Sequence, residues 1–444
     1  MSLSAQSDSR TIISPQVSSS TKTAINVLPK LLMLSAAGLF FGDIAIFSVG
    51  GFIVTPYHLL FPLTAALAVS PSKQPQDSQV ALFGFWLFMA LTELAHVTWA
   101  GYITEPEWLR SFAQFLVYSL SFLVIARKKL RRTELVSLGP WVAKLSIVLS
   151  ATGIFQYILF IFQIPAYLPD EFRARSGFDP LFSTRYGGFS PAIGFAIEPS
   201  HYALALCVLL ACLLFFVQIG ILKGRLQRIS IAMVMAGVLV SYSISGVIIS
   251  IALLIFSLII PGRKRIFLVS VIGFFLWLLL TLNFTQPIVE RFSIVAEGQD
   301  ASSMMRVVAS IRLLFANSSR LETMLFGTGM GLEAREYETY VQVYTQAIPR
   351  YLALREIKVH NIFAVIKFLQ GWVGLLIYGI MIWLSLRPAI RAWRLYIPLF
   401  VFFFAYQFST GLYLTPAFWS TYALMTVLWR SDLTPKMDDG VASR

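Results

Sequence analysis

Charge is scarce in this sequence. Asp, Glu, Lys and Arg make up only 13% of its 444 residues, against 57% hydrophobic residues, and its mean hydropathy is +0.73. That leaves far more apolar surface than one soluble core can use, which excludes a soluble globular domain and points to an all-α polytopic membrane protein. Cysteine is nearly absent as well. Cys207 and Cys212 lie in one apolar run with no His or acidic residue at ligand spacing, which excludes a disulfide framework and a zinc site and leaves two small core residues. The first thirty residues lack the basic, apolar, small-residue order of a cleaved signal peptide. Their Ser, Thr and Gln content reads as a disordered cytoplasmic tail over 1–30, with a second tail at 431–444.

Nucleotide signatures are missing too. "GTGMG" (Gly327 to Gly331) has neither the strand and spacing of a dinucleotide fingerprint nor the Gly-Lys-Ser/Thr of a phosphate loop. No Asp-rich pair marks a metal site, so neither a cofactor nor a metal is expected.

What the chain does have is long apolar runs. They fall at about 31–51, 53–69, 80–101, 110–126, 141–163, 199–222, 266–283, 362–386, 395–413 and 417–429. The net charge of +13 would suggest nucleic acid in a soluble protein, but here it maps onto short connections. Arg127, Lys128, Lys129, Arg131 and Arg132 fill one, Lys223, Arg225 and Arg228 another, then Arg263 to Arg265, then Arg387, Arg391 and Arg394. The positive-inside rule puts these in the cytoplasm. Residues 229–260 have basic clusters at both ends, so the run must go out and return. Its 32 residues at about 1.5 Å each give about 48 Å, too little for two crossings of a core about 30 Å thick. Two short helices meeting at "SYSISG" (Ser241 to Gly246) resolve this, and such a turn should line something wet. The count becomes twelve membrane segments in one domain over 31–430, with both termini cytoplasmic.

Two external loops follow, about 163–198 and 284–360. The second is longer than a connection needs and patterned, with an amphipathic stretch at Ser303 to Phe315. Arg173, Arg175, Arg185, Arg306 and Arg312 stand out, because the forked donors of arginine suit phosphate and carboxylate. The competing reading is solvated charges paired with Asp170, Glu171 and Asp179. Arg306 and Arg312 lie about 240° apart on a helix, so at least one should face protein or ligand.

The stretch "GFAIEPSHYA" (Gly194 to Ala203) carries the strongest polar cluster. Pro199 predicts a helix start with Glu198 at its cap, and Ser200 and His201 in its first turn. Free N–H groups there suit an anion. Glu198 is then either part of a binding site or itself the capping anion, a role for which Asp, Ser, Thr and Asn are better suited. His360, opening "VHNIFAVIKFLQGWVG", reads either as a general base or as a polar anchor at the external lip. Asp43, Glu93 and His96 lie inside segments, where charge is costly and partnered. Lys367 either pairs with one of them or snorkels.

Taken together, these parts resemble the O-antigen polymerase and ligase superfamily (Wzy-type). A dozen helices, a large late external loop, "LFGTGMG" within it, "HN" opening the next helix and "EPSHYA" after an Arg-bearing segment occur in the family's order over most of residues 150–390. The resemblance implies a fold similar to the C-type (GT-C) membrane glycosyltransferases and a substrate of undecaprenyl-pyrophosphate-linked oligosaccharide. It also implies the bacterial inner membrane, membrane lipids and a chain-length regulator protein as surroundings and partners, and no nucleic acid. It implies catalytic roles for Glu198 and His360, with Arg173, Arg175, Arg185, Tyr186, Ser200, His201, Arg306, Arg312 and Asn361 binding substrate. "EPS" leans toward polymerase over ligase. A lipid-linked sugar flippase is the remaining alternative, against which stands the lack of a matching broken segment in the first half.

Overall fold

The computed structural model describes residues 19–49, 52–69, 77–101, 103–164, 166, 169, 172–173, 191–257, 310–315, 321–330, 361–411 and 413–431. These are mostly helical. Helices α1 (Ser19–Ala36), α2 (Pro56–Ala68), α3 (Asp77–Trp99), α4 (Pro106–Ala126), α5 (Arg132–Ile161), α6 (Pro199–Gln218), α7 (Gly224–Val240) and α8 (Ile244–Ser257) form the first part. Short helices α9 (Ser310–Phe315) and α10 (Leu321–Phe326) precede α11 (Ile362–Ile390), α12 (Trp393–Ser409) and α13 (Pro416–Trp429). Among the described residues the sheet content is one antiparallel hairpin, β1 (Phe47–Val49) with β2 (Phe52–Val54), in the register Ser48↔Ile53. Proline opens α2, α4, α6 and α13, where its fixed φ fits the first turn and its missing N–H costs nothing.

Five helices, α3 to α6 and α11, are long and apolar enough to cross a membrane, so this is a helical membrane protein. The expected twelve segments are not all met among the described residues. The run at 31–51 is not one span: α1 ends at Ala36, a 3-10 turn follows at Gly38–Phe41, and the hairpin takes up the rest. The hairpin's "FSV" and "FIV" are short and rich in β-branched and aromatic residues, a composition that favours strands. Helix α1 also starts at Ser19, inside the stretch read as a tail. The segment expected at 266–283 lies outside the described residues.

Helix α6 is the hub. From Tyr202 to Val217 every residue is buried, as expected for a helix apolar on all faces, and it packs against α5, α7, α8 and α12. Cys207 and Cys212 are free and buried on it, with the Cys207 thiol 3.5 Å from the Gly246 carbonyl of α8. Glycines let the neighbours approach. At Gly153 of α5 an added Cβ would lie 2.2 Å from the Tyr202 hydroxyl.

The broken pair is present as expected, but the turn faces protein rather than water. Ser241, Tyr242 and Ser243 are all buried. The Ser241 hydroxyl donates to Val238 O at 2.6 Å and accepts from Ser243 N at 3.2 Å, and Ser243 Oγ accepts from Gly246 N at 3.3 Å. The Tyr157 and Tyr242 hydroxyls meet at 2.7 Å, and Ala192 N donates to Val240 O at 2.9 Å. Local serines and neighbouring segments satisfy the break, so no water-lined cavity is needed.

Among the described residues, the basic connections at 127–132, 223–228 and 387–394 gather at one end. Arg430, at the close of α13, donates to Ala126 O at the close of α4. Gly139, early in α5, abuts Ile221 of the α6–α7 link, and Phe215 stacks on Tyr396 at the start of α12. At the opposite end, Ser35 of α1 accepts from the Ser420 hydroxyl near the start of α13. The 37–45 segment, the loop before α13 and the start of α6 therefore lie together, far from the basic links.

Candidate functional site

At this second end the chain before α6 is fastened from two sides. Gln156 of α5 accepts from Ile193 N at 2.8 Å and Gly194 N at 2.9 Å through Oε1, and its Nε2 donates to Ala166 O at 2.8 Å. One carboxamide thus satisfies groups of a turn in which Gly194 has a φ of +58°, a conformation costly to any residue with a Cβ. From the other side Asp43 N donates to Phe195 O at 2.9 Å.

Asp43 in turn carries the ion pair that fixes Arg173. Residues 172 and 173 run antiparallel to Ile44 and Ala45, with Ala45 N donating to Phe172 O, and this brings the guanidinium Nε to 2.9 Å from Asp43 Oδ2. Both side chains are 4% exposed. Arg173 therefore pairs with an acid distant in sequence, while Asp170, Glu171 and Asp179 lie outside the described residues. Arg175, Arg185, Tyr186, Arg306 and His360 lie outside the described residues, and Arg312 is described only as a position in α9.

Glu198 is the N-cap residue of α6, but its carboxylate makes no capping hydrogen bond; the backbone carbonyl accepts from His201 N and Tyr202 N. Its Oε2 instead accepts from the Ser200 hydroxyl at 3.3 Å. Glu198, Ser200 and His201 are all half-buried, which leaves a carboxylate, a hydroxyl and an imidazole side by side at a helix N-terminus. Asn361, by contrast, is buried and caps α11, its Oδ1 accepting from Ala364 N at 3.1 Å.

A second structure at the same end was legible only as "GTGMG". The turn at 327–330 docks on a break in α11 at Gly371, whose φ is +67°. Losing helical geometry there frees carbonyls, and Phe368 O and Leu369 O accept from Thr328 N at 2.9 Å and Gly329 N at 3.0 Å. The two backbones touch: a Cβ on Gly371 would lie 2.2 Å from the carbonyl of Leu325, and one on Gly327 2.3 Å from that of Leu369. Beside this crossing, Glu93 of α3 accepts from Met330 N at 2.8 Å and from the Trp108 indole at 3.0 Å. Tyr413 donates to Gln370 Oε1 at 3.1 Å.

The intrasegment charges thus find partners: Asp43 in Arg173, Glu93 in Trp108 and Met330, while His96 stacks on Phe326 and Lys367 lies 5.3 Å over the Trp372 ring. Sequence reasoning missed Gln156 and Gln370. Each is a lone carboxamide in an apolar run, next to a segment that must break, and that is the signal that could have found them. Among the described residues no three His, Cys, Asp or Glu side chains converge as metal ligands. Neither a protein-family model nor a curated protein matches this chain.

Proposed function

We propose that the protein polymerises lipid-linked oligosaccharide repeat units into a surface polysaccharide, at the external face of a bacterial inner membrane, as a membrane glycosyltransferase akin to the C type. The basic links, by the positive-inside rule, mark the cytoplasmic end, with both termini there in a twelve-segment topology. The Glu198 cluster and the "GTGMG" turn are then external, where no nucleotide is available and a lipid pyrophosphate is the fitting sugar donor. The growing chain's anomeric carbon gains a bond to a hydroxyl oxygen of the acceptor unit and loses its bond to the carrier pyrophosphate, which leaves. Glu198 or His360 takes the hydroxyl proton, and the external arginines balance the leaving pyrophosphate.

The observation that carries this reading is that the Glu198 carboxylate sits at a helix N-terminus without serving as its cap. A capping role would aim it at backbone N–H groups instead. Deleting the protein and sizing the lipid-linked glycans tests the reaction class: single repeats are expected. Full-length polymer stranded on its carrier would make it a ligase, and repeats trapped inside would make it a flippase. Glu198→Ala and His360→Ala should remain in the membrane at normal abundance yet yield no long chains. Normal chain-length ladders in both would sink the assignment.

A further inference from the structure

The basic end holds a buried cation that the proposed reaction does not use. Arg430 is 8% exposed, and its Nη1 donates at 2.7 Å to Ala126 O, a carbonyl that the end of α4 leaves unmatched. Gln79 takes the next carbonyl, donating to Arg127 O at 3.3 Å. Arg430 Nη2 is enclosed and has no hydrogen-bond partner among the described residues. A guanidinium that is out of water with donors unmatched is costly unless an anion meets it.

The exposed Arg127 lies beside it. Arg430, Arg127 and Gln79 are the polar members of a shallow surface cleft walled by Leu82, Phe83, Leu123 and Ala126. Phe83 is also 39% exposed and continues an outward apolar stripe along α3 through Val80, Leu87 and Leu91, which are spaced three to four residues apart on one face. Cations at the bundle end, running into an apolar stripe on its membrane-facing side, match a headgroup phosphate followed by acyl chains.

We propose that this cleft between α3 and α4 binds the phosphate of an anionic membrane lipid, with Arg430 and Arg127 as its cations. The site does not depend on the glycosyl-transfer reading. Native mass spectrometry of the full chain in neutral detergent tests it, with phosphatidylglycerol, phosphatidylcholine or inorganic phosphate added. Wild type should retain phosphatidylglycerol over phosphatidylcholine, and Arg430→Gln should weaken that retention by about tenfold or more. Because Arg430 also caps α4, Gln79→Glu provides the second variant: a carboxylate placed in the cleft should displace the lipid while leaving Arg430 in place. Inorganic phosphate competing at millimolar concentration would keep the anion site but assign it to a free ion. Equal retention of both lipids, or phosphatidylglycerol retention unchanged in both variants, would overturn the proposal.

Discussion

Two membrane helices of this protein are broken, and they are mended in different ways. Between α7 and α8 the freed groups go mainly to serines of the break itself, Ser241 and Ser243, with Ala192 N reaching Val240 O from the chain before α6. In α11 the carbonyls freed at Gly371 go to amides of a segment some forty residues earlier, Thr328 and Gly329. Both solutions obey one constraint, that backbone polar groups at membrane depth must find partners in the protein. The difference is cooperativity. The first break is mended largely by its own serines, whereas the carbonyls freed in α11 rely on the docked 321–330 segment. The second therefore couples a loop to the bundle, and damage to either side should undo both.

That coupling predicts the largest effect at the crossing point. Gly371→Ala adds a Cβ at 2.2 Å from the Leu325 carbonyl, and its φ of +67° is itself unfavourable to alanine. Backbone lies on both sides, so no side chain can yield. A loss of about 3 kcal/mol or more is expected, with about 1–3 kcal/mol of it from a backbone conformation that is essentially glycine's alone. Gly327→Ala should match it, because its Cβ meets Leu369 in the same way. Denaturation in mixed micelles, with protease cleavage of the 321–330 segment as a local probe, reads both. A Gly371→Ala protein of normal stability would mean that the two segments do not depend on each other.

Glu93 should come next. It accepts from Met330 N and the Trp108 indole, so Glu93→Leu strands two buried donors at a cost of about 2–4 kcal/mol. Glu93→Gln keeps a carbonyl oxygen for them and should cost about 1 kcal/mol or less. The order of the two variants is the check. A glutamine variant as unstable as the leucine one would show that the negative charge, rather than the acceptor, holds the turn.

The contrast between the breaks also explains what could be read from sequence. The α7–α8 break was legible because its cause is local: 32 residues between basic clusters are too few for two crossings, and the serines that mend it lie within the run. The start of α6 at Pro199 was legible for the same reason. The break in α11 was not, since "FLQGW" inside an apolar run reads as continuous helix until Thr328 and Gly329 are brought to it. The run at 31–51 misled because hydropathy counts apolar residues without regard to Gly38 and Gly42, where the helix gives way and Asp43 is delivered to Arg173. At the candidate site, Glu198 was visible as a residue out of place, but the Gln156 carboxamide that shapes its approach became visible only through contacts some forty residues apart.

The smallest expected effect lies at the self-mended break. Ser243→Ala removes the acceptor for Gly246 N, an N-terminal capping bond of α8, and should cost about 0.5–2 kcal/mol. The Ser245 hydroxyl loses its contact with Ser243 Oγ as well, but Ser241 Oγ still accepts from Ser243 N, Tyr242 still meets Tyr157, and Val247 N still reaches Ser243 O, so the loss should stay within the first turn of α8. Hydrogen exchange should then rise at the first turn of α8 and stay unchanged at 327–330. A destabilisation as large as that of Gly371→Ala, or exchange spreading to the "GTGMG" turn, would mean that the α7–α8 break depends on its distant contacts as strongly as the break in α11 does.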